Sequence, residues 1–272
     1  MMRIAKAFET AKAEGRAALG LFITAGDPDP QTSRDILLGL PDQGVDFVEL
    51  GMPFSDPMAD GPSIQAGSLR ALKAGIKLGN VLEMAATFRA RHPETPLILM
   101  GYFNPIYIYG VDRFIADATA AGVDGMIMVD LPPEEDSEFC LPARAAGLDF
   151  IRLITPTTND ARMPVVLENS SGFVYYVSIT GITGTRSAST SSIADAMARI
   201  RSASDLPAVV GFGIKTKEQV AEAAQVADGV VVGSAIVDQL AASLDKDGKA
   251  GPNTVSSVLA LARELGEGRA RS

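Results

Sequence analysis

Short apolar runs punctuate this chain at residues 19–24, 47–51, 97–102, 125–130, 150–154, 174–178, 208–213 and 229–233. They are rich in Val, Ile and Leu and do not alternate with polar residues. That is the pattern of parallel strands covered on both faces. Helical patterns separate them, for example at 33–40, 111–121, 134–146 and 216–224. The gap between the second and third runs predicts two helices, 63–74 and 80–91, broken at Gly75 and Gly79. An amphipathic helix over 4–14 precedes the first strand, and another over 255–265 follows the last. Eight strand-then-helix units in 272 residues predict one (β/α)8 TIM barrel with an extra N-terminal helix, spanning 1–272 as a single domain. The competing architecture, an open doubly wound sheet, carries a glycine-rich phosphate turn after its first strand. Here T-A-G-D-P-D-P stands in that place, and no linker or low-complexity block divides the chain.

Composition narrows the partners. A net charge of −9 argues against nucleic acid and anionic membrane surfaces. No apolar run approaches the ~20 residues that span a bilayer. Near the N-terminus, Lys6, Glu9, Lys12 and Glu14 fall on helical spacing where a signal peptide would be apolar. A single cysteine excludes an internal disulfide and suits a cytoplasmic protein. Cys140 lies in a predicted helix and reads as a small, half-buried side chain. His92, in R-A-R-H-P-E-T-P, reads as part of a surface loop. With neither residue well placed, Cys-His and Ser-His-Asp mechanisms lose their essential parts, and a structural zinc site lacks ligands. Chemistry falls to the acids.

In a barrel of this class the C-terminal ends of the strands face the active site. Those positions are Glu49; Gly101, Tyr102 and Asn104; Asp130; Tyr175 and Ser178; Gly211, Phe212 and Gly213; Gly233 and Ser234. No lysine stands at any of the eight ends, which disfavours a Schiff-base aldolase. The last two strands end in glycine, as V-V-G-F-G-I and V-V-V-G-S-A. Loops after strands seven and eight often bind phosphate through main-chain amides and a helix N-terminus, and Gly213, Gly233 and Ser234 suit that use. The segment 178–192 holds two T-G steps and many hydroxyls with almost no apolar anchor, and reads as a lid over the barrel mouth.

The stretch E-L-G-M-P-F-S-D-P-M-A-D-G-P, residues 49–62, places a glutamate inside an apolar run and two aspartates in the loop beyond it. Glu49, partly desolvated at a strand's inner end, is a candidate for proton transfer or a buried acid with a structural partner. Asp60 is placed to reach the same mouth. Asp56 and Asp60 equally suit the turn-forming role common to D-P and D-G.

These residues resemble a known family. Together, 49–62, T-A-G-D-P at 24–28, Y-F-N-P at 102–105, S-I-T-G-I-T-G from Ser178, G-F-G-I from Gly211 and G-S-A-I-V from Gly233 closely resemble the tryptophan synthase alpha subunit. The match runs in order through nearly the whole chain. The resemblance implies retro-aldol cleavage of indole-3-glycerol phosphate to indole and glyceraldehyde 3-phosphate, with no metal or organic cofactor. Glu49 matches the family's general acid/base and Asp60 the aspartate that bonds the indole N–H. Phe22, Met100, Tyr175, Thr183 and Phe212 match positions framing the indole; Gly184, Gly213, Gly233 and Ser234 match the phosphate site. Met100 and Ile127 stand where other aliphatic residues are expected, and both keep the slot apolar. Beyond Gly184 the lid, including Arg186, departs from commoner versions. The resemblance also implies an alpha-2/beta-2 assembly in which a beta subunit carries pyridoxal phosphate (PLP). Loops 53–60 and 102–105 match the contact surface, with Pro53, Asp56 and Asn104 on it, so Asp56 becomes a partner or loop-anchoring residue.

Overall fold

A computed structural model describes residues 2–178, 190–211 and 213–271. Eight parallel strands close into a barrel in chain order. They are β1 (Ala18–Thr24), β2 (Phe47–Gly51), β3 (Leu97–Gly101), β4 (Gly125–Met128), β5 (Asp149–Ile154), β6 (Val174–Val177), β7 (Ala208–Gly211) and β8 (Gly229–Val232). The helices are α1 (Arg3–Ala13), α2 (Pro30–Gly39), α3 (Pro62–Lys73), α4 (Leu78–Arg91), α5 (Phe103–Tyr109) and α6 (Val111–Ala120). The remainder are α7 (Cys140–Ala145), α8 (Met163–Leu167), α9 (Thr190–Ala203), α10 (Lys217–Ala224), α11 (Ser234–Ala242) and α12 (Thr254–Gly266). The architecture is the TIM barrel that the apolar runs predict.

Alternation along the strands divides the core in two. Leu19, Leu21, Val48 and Leu50 point outward and pack against the helices. Phe22, Phe47, Ile98, Ile127 and Val209 point inward and fill the barrel. The N-terminal helix has a specific task in this arrangement. Its buried face, Ile4, Phe8 and Ala11, closes the floor of the barrel. There Phe8, Phe47 and Phe173 form a triangle with ring centroids 5.4–5.7 Å apart.

The same floor carries a fourfold brace. A short polar side chain just before each even strand accepts the amide at the start of the odd strand beside it. Asp46 accepts from Leu19 N at 2.8 Å, Asp124 from Leu97 N at 2.8 Å, Ser171 from Phe150 N at 2.9 Å and Asp228 from Ala208 N at 3.0 Å. The three aspartates are each held by two arginines: Arg16 and Arg269, Arg3 and Arg89, Arg201 and Arg271. Conservative turn chemistry starts other elements. Asp29 caps α2 by accepting from Gln31 N and Thr32 N, with Pro30 at the first helical position. Thr216 and Gln219 form a capping box on α10.

Several expectations need correction. The run 97–102 ends as a strand at Gly101, because Tyr102 has become the residue that opens α5. The run 125–130 ends as a strand at Met128; Asp130 turns to accept the Phe103 amide at 2.9 Å. The single helix over 134–146 is instead a 3-10 segment, Pro133–Glu138, and the separate α7, with the break at Phe139. His92 is half-buried at the end of α4, its Nε2 2.8 Å from the Leu38 carbonyl oxygen and its ring against Phe88. Cys140 is fully buried rather than half-buried. Four helices were not picked out by the sequence pattern: α5 and α8, which are short and contain proline, α9, whose first residues fall in the expected lid, and α11, which is apolar over most of its length.

Candidate active site

Period-two alternation along β2 puts Phe47, Glu49 and Gly51 on the inner face. Glu49 pairs with Phe22 of β1 on one side and Ile98 of β3 on the other. It is 0% exposed, beyond the partial desolvation expected from sequence. Neither carboxylate oxygen has a hydrogen-bond partner among the described residues. Buried without a counter-charge, the ionised form is disfavoured, and burial pushes the Glu49 pKa up to about 8. The Tyr175 phenol, also inward-facing, is raised well above its ordinary value by burial and then by the Glu49 charge.

Above this layer a cavity opens at the C-terminal end of β1–β4, walled by Phe22, Gly51, Asp60, Ile64, Met100 and Tyr102. Asp60 reaches it from the loop after β2. Its backbone is pinned on both sides: its amide donates to the Pro57 carbonyl at 3.1 Å, and its carbonyl accepts from Gln65 Nε2 at 2.8 Å. Burial raises the Asp60 pKa to about 6, opposed by hydrogen bonding from the Tyr102 hydroxyl. The two acids therefore titrate apart, Glu49 at about 8 and Asp60 at about 6.

Close backbone approaches make room for the inward rings. A Cβ at Gly51 would lie 2.4 Å from the Phe22 ring, and one at Gly211 would lie 2.2 Å from the Tyr175 hydroxyl. Any larger residue would displace the walls of the site. Helix α3, which begins two residues after Asp60, is locked to the end of β1 by Arg70, bidentate to the buried Asp27 at 2.7 and 2.8 Å.

On the far side of the mouth, Gly213 adopts a left-handed φ of +78°, and Gly233 opens α11 with Ser234 as its first residue. No side chain among the described residues caps this helix; the Ile236 amide bonds back to the Gly233 carbonyl at 3.0 Å, and the amides before it have no intrahelical acceptor. That is the arrangement that favours an anion.

The structure thus brings Phe22, Met100 and Asp60 to one cavity, with Glu49 and Tyr175 inside the barrel below and Gly213, Gly233 and Ser234 at the ends of the last two strands. Thr183, Gly184, Arg186, Phe212 and residues 181–189 of the expected lid lie outside the described residues. Of the expected contact positions, Asp56 is exposed and accepts from Ser55 Oγ at 2.5 Å, while Pro53 is half-buried. Asn104 lines an open surface groove with Phe54, Pro105, Ile108 and Tyr109. Among the described residues no group of three or more His, Cys, Asp or Glu is placed to hold a metal ion, and no helix is long and apolar enough to cross a membrane. Sequence reasoning placed Tyr102 at a strand end but missed its contact with the Asp60 loop. It also missed Ile64, whose only signal is its place one turn into the helix after Asp60.

The model of the family described as the tryptophan synthase alpha chain matches residues 8–266. The fold also superposes on tryptophan synthase subunit alpha from Legionella pneumophila str. Paris with a TM-score of 0.89, at 40% identity over 98% of each chain. A tryptophan synthase structure from Mycobacterium tuberculosis matches at 34% identity with a TM-score of 0.89, covering 100% of this chain and 99% of that one. Matched in sequence and in fold along nearly its whole length, the chain belongs to the tryptophan synthase alpha chain family, and with it to tryptophan biosynthesis.

Proposed function

We propose that the chain is a carbon–carbon lyase that cleaves indole-3-glycerol phosphate to indole and D-glyceraldehyde 3-phosphate. One observation carries the reading: a fully buried carboxyl with no hydrogen-bond partner among the described residues, Glu49, sits beneath an apolar cavity whose rim holds a second carboxylate, Asp60. An unsatisfied buried acid costs stability, and a reacting group is a reason to keep one.

The chemistry divides between them. Near neutral pH Glu49 holds its proton and donates it to indole C3. Positive charge then develops on the indole nitrogen, whose N–H the ionised Asp60 accepts. The side-chain hydroxyl next to C3 returns a proton to Glu49 as its oxygen forms the aldehyde carbonyl. The C3–C bond breaks, and its electron pair restores the aromatic indole. The acid ends as it began, and no oxidant or cofactor enters the balance. Phe22, Met100 and Tyr175 sandwich the ring, with Thr183 and Phe212 completing the slot. The amides at Gly184, Gly213, Gly233 and Ser234, with the Ser234 hydroxyl, take the phosphate. In this reading residues 181–192 close over the bound substrate.

The partner is a beta subunit bearing PLP, in an alpha-2/beta-2 tetramer working in the cytoplasm as one soluble domain per alpha chain. The support is a solvent-facing apolar patch beside the cavity. Met58, Tyr107 and Ile108 are 72%, 65% and 79% exposed, next to the groove that holds Asn104. Pro53 and Asp56 belong to the same rim.

The test is indole release from indole-3-glycerol phosphate by the purified chain, alone and with a beta subunit. Glu49→Gln should lower turnover ~10²- to 10⁴-fold while substrate binding persists. A rate within a fewfold of the unaltered chain would remove Glu49 from the reaction.

A further inference from the structure

We propose that Asp27 and Arg70 are positioning residues for Asp60: their ion pair seats α3 on the end of β1, and α3 holds the Asp60 loop at the cavity rim. That the seated carboxylate accepts a substrate N–H rests on the reading of Asp60 given above; the seating rests on the contacts of α3.

Helix α3 is a wall of the cavity as well as the continuation of the Asp60 loop. Ile64 and Ser68, one turn apart on the helix, line the cavity together with Asp60. The first turn grips the loop directly. Gln65 donates through Nε2 to the Asp60 carbonyl at 2.8 Å and through its amide to the Gly61 carbonyl at 3.0 Å. A displacement of α3 therefore carries Asp60 with it.

The buried face of the helix sets its position. At Gly67 the helix rests against the end of β1 and against α11: a Cβ there would lie 2.8 Å from Asp27 Oδ2, 3.2 Å from Thr24 Oγ1 and 3.2 Å from Val237 Cγ1. Val237 stands one turn into α11, which Ser234 opens, so the same contact spaces the Asp60 rim from the anion-favouring turn. Three residues after Gly67, Arg70 donates through Nε and Nη2 to the two carboxylate oxygens of Asp27 at 2.7 and 2.8 Å. Such a two-pronged bond fixes orientation as well as distance. The turn bearing Asp27 is itself tied to α2: the Gly26 amide donates to Ser33 Oγ at 2.9 Å, and that hydroxyl donates to the Thr24 carbonyl at 3.3 Å. Asp27 is buried, so loss of Arg70 would leave an uncompensated charge under the helix.

The experiment is a double-mutant cycle on indole release with a beta subunit present, joined to hydrogen exchange of the full-length chain read by mass spectrometry. Arg70→Ala should lower kcat/KM on the order of 10²-fold, the effect of a misplacement near 1 Å. In a chain already carrying Asp60→Asn, the same change should lower it by no more than about twofold, because the group it positions is gone. Losses that simply multiply in the double variant mark general damage and overturn the proposal. In exchange, Arg70→Ala should speed the amides of 58–68 roughly tenfold and leave those of β5 and β6 unchanged. Uniform acceleration across the chain, or none at 58–68, overturns it as well. If Arg70→Ala does not fold, Arg70→Lys, which keeps the charge and loses the fork, should give the same pattern at smaller amplitude. A chain that releases no indole defeats the lyase reading instead, and the exchange comparison still decides the seating.

Discussion

Glu49 and Asp60 show how two carboxyls acquire different proton affinities from position alone. Both have raised pKa values, and burial is the largest cause in each. Glu49, without a partner among the described residues, titrates at about 8; Asp60, beside a hydroxyl, titrates at about 6. The proposed reaction needs Glu49 protonated and Asp60 ionised. Below pH ~6 Asp60 gains a proton and loses its acceptor role, and above ~8 Glu49 loses the proton it must donate. We expect kcat/KM against pH to be a bell between those limits, and Asp60→Asn to remove its acid limb while lowering the rate. A profile flat from pH 5 to 9 would contradict the assignment. The motif around residue 49 made both acids visible as candidates; the total burial that separates their titrations was not legible, because it depends on side chains from β1, β3 and β6.

At the scale of the element, chemistry and stability occupy opposite ends of the same strands. The C-terminal ends hold the cavity and the glycine turns, whereas the N-terminal ends are tied by the aspartate and serine braces. Asp124 accepts the Leu97 amide and pairs with Arg3 and Arg89. Asp124→Ala would leave the buried Leu97 amide without its acceptor and the largely buried Arg89 guanidinium, still bonded to backbone carbonyls, without its carboxylate, at a cost of about 2–4 kcal/mol. Urea denaturation should show that loss with turnover near normal at 25 °C; an unchanged midpoint would mean the brace adds nothing. The strands themselves were legible because both their faces are apolar. The braces were not, since an aspartate ahead of a strand looks in sequence like any other turn residue.

At the scale of the molecule, the barrel is closed below by α1, and an apolar patch lies beside its mouth. Ile108 and Tyr107 project from α5, and Met58 from the Asp60 loop. Tyr102 joins these two segments, so the rim that would meet a partner and the rim that holds Asp60 are one hydrogen-bonded unit. Placing a charge at the centre of the patch tests the proposed docking. Ile108→Asp should weaken binding of a beta subunit at least ~10-fold, about 1.4 kcal/mol or more, while the isolated chain keeps its basal indole release. Calorimetric titration with the beta subunit measures the first and the indole assay the second. Undiminished affinity would place the interface elsewhere.

What the sequence determined by itself is local and periodic: eight buried strands, most of the helices between them, an inward glutamate, and glycines where the last strands end. These follow from side-chain alternation and turn preference, which act over a few neighbouring residues. Barrel closure decided the rest. It stripped Glu49 of water, drew Tyr102 to the Asp60 loop, set α1 as the floor, and left Tyr107 and Ile108 of α5 facing solvent. Each of those outcomes depends on residues far apart in the chain meeting in space, and no local pattern records such a meeting.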